Sequence, residues 1–72
     1  MRYAVIVEKG RESYGAYVPD LPGCAVVAKS EKEALALIKE AIDLYLTDLK
    51  TKGLSAPRPT SHVTEIDVPA AR

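Results

Sequence analysis

The stretch SEKEALALIKEAIDLYLTDLKTKG, residues 30–53, decides the fold. Ser30 followed by Glu33 is a capping box: the serine hydroxyl takes a free amide of the first turn while the glutamate reaches back to the cap. At the other end Gly53 can adopt the left-handed conformation that closes a helix. Leu54 can then pack back on Leu49, and Pro57 and Pro59 forbid resumption. No Gly or Pro lies between the caps, and the apolar residues Ala34, Leu35, Leu37, Ile38, Ala41, Ile42, Leu44, Tyr45, Leu46 and Leu49 recur at helical spacing. The spacing predicts a helix of about six turns.

On a helical projection Ala34, Ile38, Ala41, Ile42, Tyr45 and Leu49 form a central stripe, widened by Leu37 and Leu44 on one side and by Leu35 and Leu46 on the other. Lys32, Lys39, Glu40, Asp43, Thr47, Lys50 and Thr51 fill the rest. The apolar arc is about 200° wide, roughly twice what a helix needs to cover one sheet face. One flank is therefore expected to meet another subunit or a protein partner, with Leu37, Leu44, Leu35 and Leu46 as the candidate oligomer contacts. The alternative is that the chain's own loops cover those leucines.

Working outward from the helix, residues 2–9 alternate, with Tyr3, Val5 and Val7 against Ala4, Ile6 and Glu8, and read as a strand. Residues 10–13 are turn-like. Residues 14–18 read as its hairpin partner, with Tyr14, Ala16 and Val18 on one face and Gly15 and Tyr17 on the other. Pro19, Asp20, Leu21, Pro22 and Gly23 make a turn in which prolines fix φ and glycine relieves it. Residues 24–28 are a short apolar run, read as a third strand. After the helix and a Pro-bearing connector, residues 62–68 alternate again and predict a fourth strand, followed by a frayed tail over residues 69–72. The result is one α+β domain over residues 1–72, in β-β-β-α-β order: a mainly antiparallel sheet with one long helix packed on it. The pattern does not say which sheet face the helix covers.

The chain has 72 residues, a length at which only about 60% of the unfolded surface is buried, so stability from its own core is marginal. One cysteine allows no internal disulfide and, with one histidine, builds no His/Cys metal cluster, which leaves oligomerisation as the expected staple. The lone thiol fits a reducing cytoplasm. Nothing at the N-terminus reads as a signal peptide, and no apolar run approaches the ~20 residues of a membrane span. Ten basic and ten acidic side chains cancel, so the general electrostatic footprint for phosphate backbones is missing. There is no Asn and no Gln, a composition that fits the avoidance of heat-labile amides in proteins of hot organisms.

Catalytic chemistry finds little purchase. Cys24 as a nucleophile would need a base and an orienting group, and His62, the single histidine, starts the predicted last strand; a buried structural thiol is the simpler reading of Cys24. Asp20, Asp43 and Asp48 are too scattered for two-metal hydrolysis, no cofactor is implied, and no phosphate-cradling glycine loop is present. Of the four tyrosines, Tyr14 and Tyr17 must point to opposite faces of one strand, so one of them is a candidate for an interface. A base-stacking platform would need basic neighbours beyond Arg2, Lys9 and Arg11.

Tyr14-Gly15-Ala16-Tyr17-Val18-Pro19-Asp20-Leu21-Pro22-Gly23-Cys24, followed by Ser30-Glu31-Lys32-Glu33-Ala34 at a helix start, resembles the HicB-like antitoxin family. The resemblance runs from about residue 3 to residue 59. It implies an α+β layer similar to a double-stranded-RNA-binding domain or a truncated ribonuclease H. It also implies a non-enzymatic protein that binds and masks a small RNA-cleaving toxin, HicA, and assembles as a dimer, tetramer or larger oligomer. Many members carry a C-terminal DNA-binding segment; none follows the helix here through Arg72, so direct operator binding is not expected. Tyr14, Tyr17, Asp20 and Leu21 are the expected partner contacts, because a rigid turn lowers the ordering cost of docking. The competing expectations are an RNA-binding module and an orphan oligomeric scaffold without a toxin.

Overall fold

In the computed structural model, which describes residues 1–70, the helix α1 spans Glu31–Thr51 and starts where the capping box places it. The Glu33 amide donates to Ser30 Oγ at 3.1 Å, and the Ser30 hydroxyl in turn meets Glu33 Oε1 at 3.2 Å. Glu31 and Glu33 in the first turn and Lys50 in the last complement the helix dipole. The stop is a Schellman motif. Gly53 sits at φ 74, its amide donates to the Lys50 carbonyl at 3.0 Å, and the Leu54 amide donates to the Leu49 carbonyl at 2.8 Å. Leu54 itself remains exposed. The Lys52–Asp48 ion pair at 3.0 Å is exposed on both sides and adds little.

Three antiparallel strands precede the helix: β1 (Ile6–Lys9), β2 (Tyr14–Tyr17) and β3 (Ala25–Ala28), in the spatial order β1-β2-β3. The register sets Val7 beside Ala16 and Ala16 beside Val26, and on the opposite face Ile6 beside Tyr17 and Tyr17 beside Ala25. In the β1–β2 turn the Gly10 amide donates to the Ser13 carbonyl at 2.7 Å. Pairing of β1 begins at Ile6, later than the alternation from residue 2 predicts. The reason lies in β2: the register would set Ala4 against Pro19, which has no amide to donate, so residues 2–5 have no ladder partner among the described residues.

The link from β2 to β3 is two β-turns in series. The Leu21 amide donates to the Val18 carbonyl at 3.1 Å, with Pro19 at the position that favours its fixed φ. The Cys24 amide donates to the Leu21 carbonyl at 3.0 Å, around Pro22 and Gly23, whose φ of 82 is the conformation a type II turn requires. Between the two turns Leu21 drops into the core with 0% of its surface exposed.

The core is Ala16, Val18, Leu21, Cys24, Ala34 and Ile38, with Tyr3, Val5, Val7, Tyr14, Val26, Ala28, Ala41, Ile42, Tyr45 and Leu46 packed around it. The helix therefore covers the face of Tyr3, Val5 and Val7, the heavier of the two sets. Ala4, Ile6, Gly15, Tyr17, Ala25 and Val27 form the other face, which no element covers among the described residues. No described helix is long and apolar enough to cross a membrane.

One predicted element does not form: residues 62–68 pair with nothing among the described residues and all are exposed. The sequence carries strand periodicity there, but a strand needs a neighbouring backbone, and this segment pairs with none among the described residues. The Tyr3 hydroxyl donates to the Pro57 carbonyl, and Asp20 then holds Thr60 and Ser61 beside the β2–β3 loop. Of the expected terminal tail, residues 71–72 lie outside the described residues.

Leu21→Ala removes the largest fully buried side chain and is expected to lower unfolding free energy by about 2–5 kcal/mol in urea denaturation. Ser30→Ala is expected to cost about 1 kcal/mol, measured in the same way.

Candidate protein-binding surface

The pairing register lays the open sheet face out in rows: Ile6, Tyr17 and Ala25 in one, Glu8, Gly15 and Val27 in the next. Tyr17 is 40% exposed and Val27 70% exposed, while Gly15 and Ala25 are too small to hide the sheet. A Cβ at Gly15 would meet only the Val26 carbonyl, at 3.8 Å, so this flatness is not imposed by crowding. The result is an apolar surface centred on an aromatic ring with a polar tip, of the kind enriched at protein interfaces. No concave pocket and no group of three potential metal ligands forms among the described residues.

The four expected contact residues separate. Tyr17 lies on the open face. Tyr14, three residues away and on the other face of the strand, packs half-buried against the core under the helix. Leu21 is a correction: its side chain is completely enclosed, so it positions the loop and offers a partner no surface. Asp20 is committed within the chain. Its Oδ2 accepts from the amides of Thr60 and Ser61, each at 2.9 Å, and its Oδ1 accepts from the Thr60 and Ser61 hydroxyls at 3.0 and 2.9 Å. The Ser61 amide, then the Ser61 hydroxyl and both Thr60 donors, hold the carboxyl below the usual aspartate range against a smaller opposing effect of desolvation.

The helix flanks also divide. Leu35, Leu37 and Leu44 are exposed, Leu44 at 71%, whereas Leu46 packs against the periphery of the core and has little to give a neighbouring subunit. Cys24 is buried, and desolvation pushes its thiol pKa up, the opposite of what an activated nucleophile needs. His62 is exposed at the root of the unpaired segment. Sequence reasoning left open whether Ala4 and Ile6 face a neighbouring chain, and it missed Val27 as a surface residue. The signal was present in the alternation of three short strands, but only the helix position shows which alternate set is left open.

The fold is a small α+β layer with one sheet face covered by the helix and the other, Glu8 apart, apolar and uncovered among the described residues. A family model described as the HicB-like antitoxin of bacterial toxin–antitoxin systems matches residues 3–70. The chain belongs to that family. A UPF0150 protein of Thermoplasma acidophilum is 46% identical over 59 residues, covering 81% of this chain and 86% of the relative. A UPF0150 protein of Helicobacter pylori is 50% identical over 50 residues, covering 69% of each. The crystal structure of TTHA0281 from Thermus thermophilus superposes with a TM-score of 0.68 at 32% identity, covering 92% of this chain and 82% of that one.

Because the folded-state pKa of Asp20 is depressed, its contribution is complete above the usual aspartate range and is lost as pH falls through the lower, folded value. Amide exchange at Thr60 and Ser61 is therefore expected to stay slow at neutral pH and to rise in acid. Asp20→Ala should abolish the protection at every pH, whereas Asp20→Asn should remove the acid step. The Cys24 thiol is expected to resist alkylation at neutral pH in the native protein and to react fully in denaturant, read by mass spectrometry.

Proposed function

We propose that this chain is the antitoxin of a toxin–antitoxin pair: a non-enzymatic cytoplasmic protein that binds a small RNA-cleaving toxin of the HicA type and keeps RNA from its active surface. The observation that carries this reading is the family match along residues 3–70 on a domain whose only uncovered sheet face is apolar among the described residues. Masking needs no chemistry from the antitoxin. A standard interface buries about 800 Å² on each partner, enough to deny a nucleic-acid chain access to a small enzyme. Tyr17 is the natural anchor, since binding energy concentrates on aromatic side chains ringed by neutral contacts, here Ile6, Ala25 and Val27.

Rigidity favours the same face. The two turns over residues 18–24 and the buried Leu21 hold β2 and β3 in place before docking, so little ordering entropy is lost on binding. Neutral net charge speaks against an RNA-binding module, which would bind phosphates through excess positive charge.

Co-expression with the neighbouring small open reading frame tests the reading. The product is expected to be toxic alone and harmless with this protein. Tyr17→Asp and Val27→Asp are expected to weaken the complex by about 30-fold or more while leaving the far-ultraviolet circular dichroism unchanged. A non-toxic neighbour, or toxicity that this chain does not relieve, sinks the proposal.

A further inference from the structure

Residues 62–68, His-Val-Thr-Glu-Ile-Asp-Val, have the make-up of a strand and no strand paired with them among the described residues. They contain no Gly or Pro, lie between Pro59 and Pro69, and carry β-branched side chains at Val63, Thr64, Ile66 and Val68. Val63, Ile66 and Val68 are 60, 79 and 73% exposed. The root of the segment is fixed: Pro57 is held at the start of β1 by Tyr3, and Thr60 and Ser61 are held at the β2–β3 loop by Asp20. The connector is thus tied at residue 57 to Tyr3 and at residues 60–61 to the β2–β3 loop, and beyond these ties residues 62–68 pair with no strand among the described residues. The radius of gyration is 14.5 Å, against about 11 Å for a compact chain of this length. The accessible surface is 6093 Å², against about 4,400 Å² for a compact folded chain of 7.8 kDa. The excess, about 1,700 Å², is roughly twice what each partner buries in a standard interface of about 800 Å² a side.

We propose that residues 62–68 add as a strand to the β1 edge of a second copy of this chain, in a two-fold exchange in which each copy receives the other's arm. β1 is the fitting edge by length and cover. Seven residues span about 23 Å as a strand. β1 pairs over Ile6–Lys9, and residues 2–5 ahead of it carry the same alternation without a ladder partner among the described residues, whereas β3 ends at Ala28 and turns at once into the Ser30 cap. The apolar side chains Tyr3, Val5 and Val7 are only half-buried along the open edge of the layer, while Ala16 and Val18 in the middle strand are buried, so an added strand would complete the layer. An unprotected edge and a strand-patterned arm on one molecule are self-complementary, which is the condition for a closed two-fold pair.

This goes beyond toxin masking and is measured with no toxin present, so either reading can fail alone. Sedimentation equilibrium of the full chain is expected to give about twice 7.8 kDa. Ile66→Pro removes a ladder donor from the arm and is expected to weaken self-association by about tenfold or more, with the helix signal in circular dichroism retained. A sample mixed from isotope-labelled and unlabelled chains should show intermolecular nuclear Overhauser contacts between the arm and residues 3–9. A monomer at millimolar concentration overturns the proposal. So does a dimer that Ile66→Pro leaves intact and Leu37→Glu with Leu44→Glu dissociates, or an arm whose contacts are all within its own chain.

Discussion

Everything in this molecule depends on the packing of Ala34 and Ile38 onto a floor made of Ala16, Val18, Leu21 and Cys24. The contact is close because the side chains at its centre are small: two alanines let helix and sheet approach, and Leu21 fills the space at the loop end. Leu21 is present there because two successive turns, each built around a proline, return the chain on itself within five residues. The loop is thus as much part of the core as the strands are. Its prolines and its glycine keep β2 and β3 in register while supplying the side chain that the helix rests on.

So small a core leaves much unburied, and the leftovers are distributed in a particular way. The helix hides one sheet face and leaves the other, with Tyr17 and Val27, in water. Its own apolar arc is wider than the sheet can cover, so Leu35, Leu37 and Leu44 remain outside. A domain of this length has little stability to spare, and association is the available way to gain more.

Asp20 links the loop to the segment beyond the helix. Its carboxylate faces four donors from two consecutive residues, and charge-assisted bonds of this kind are stronger than neutral ones. In sequence it is an ordinary turn aspartate forty residues from Thr60, and neither composition nor periodicity connects the two. The Tyr3 hydroxyl on the Pro57 carbonyl is the same kind of contact, long in sequence and invisible to pattern. Together they set where residues 62–68 leave the body, and so which edges that segment can reach.

What the sequence by itself determined is everything local. Ser30 and Glu33 start the helix, Gly53 stops it, the alternation in residues 6–9, 14–17 and 25–28 makes strands, and Pro-Gly makes the turn, because each depends on groups a few residues apart. Tertiary structure alone decided which sheet face the helix covers, that Leu21 is enclosed while Tyr17 is open, that Asp20 is engaged, and that residues 62–68 have no partner strand among the described residues. The physical reason is common to all four. Burial and strand pairing belong to two surfaces at once, and a linear pattern specifies only one of them.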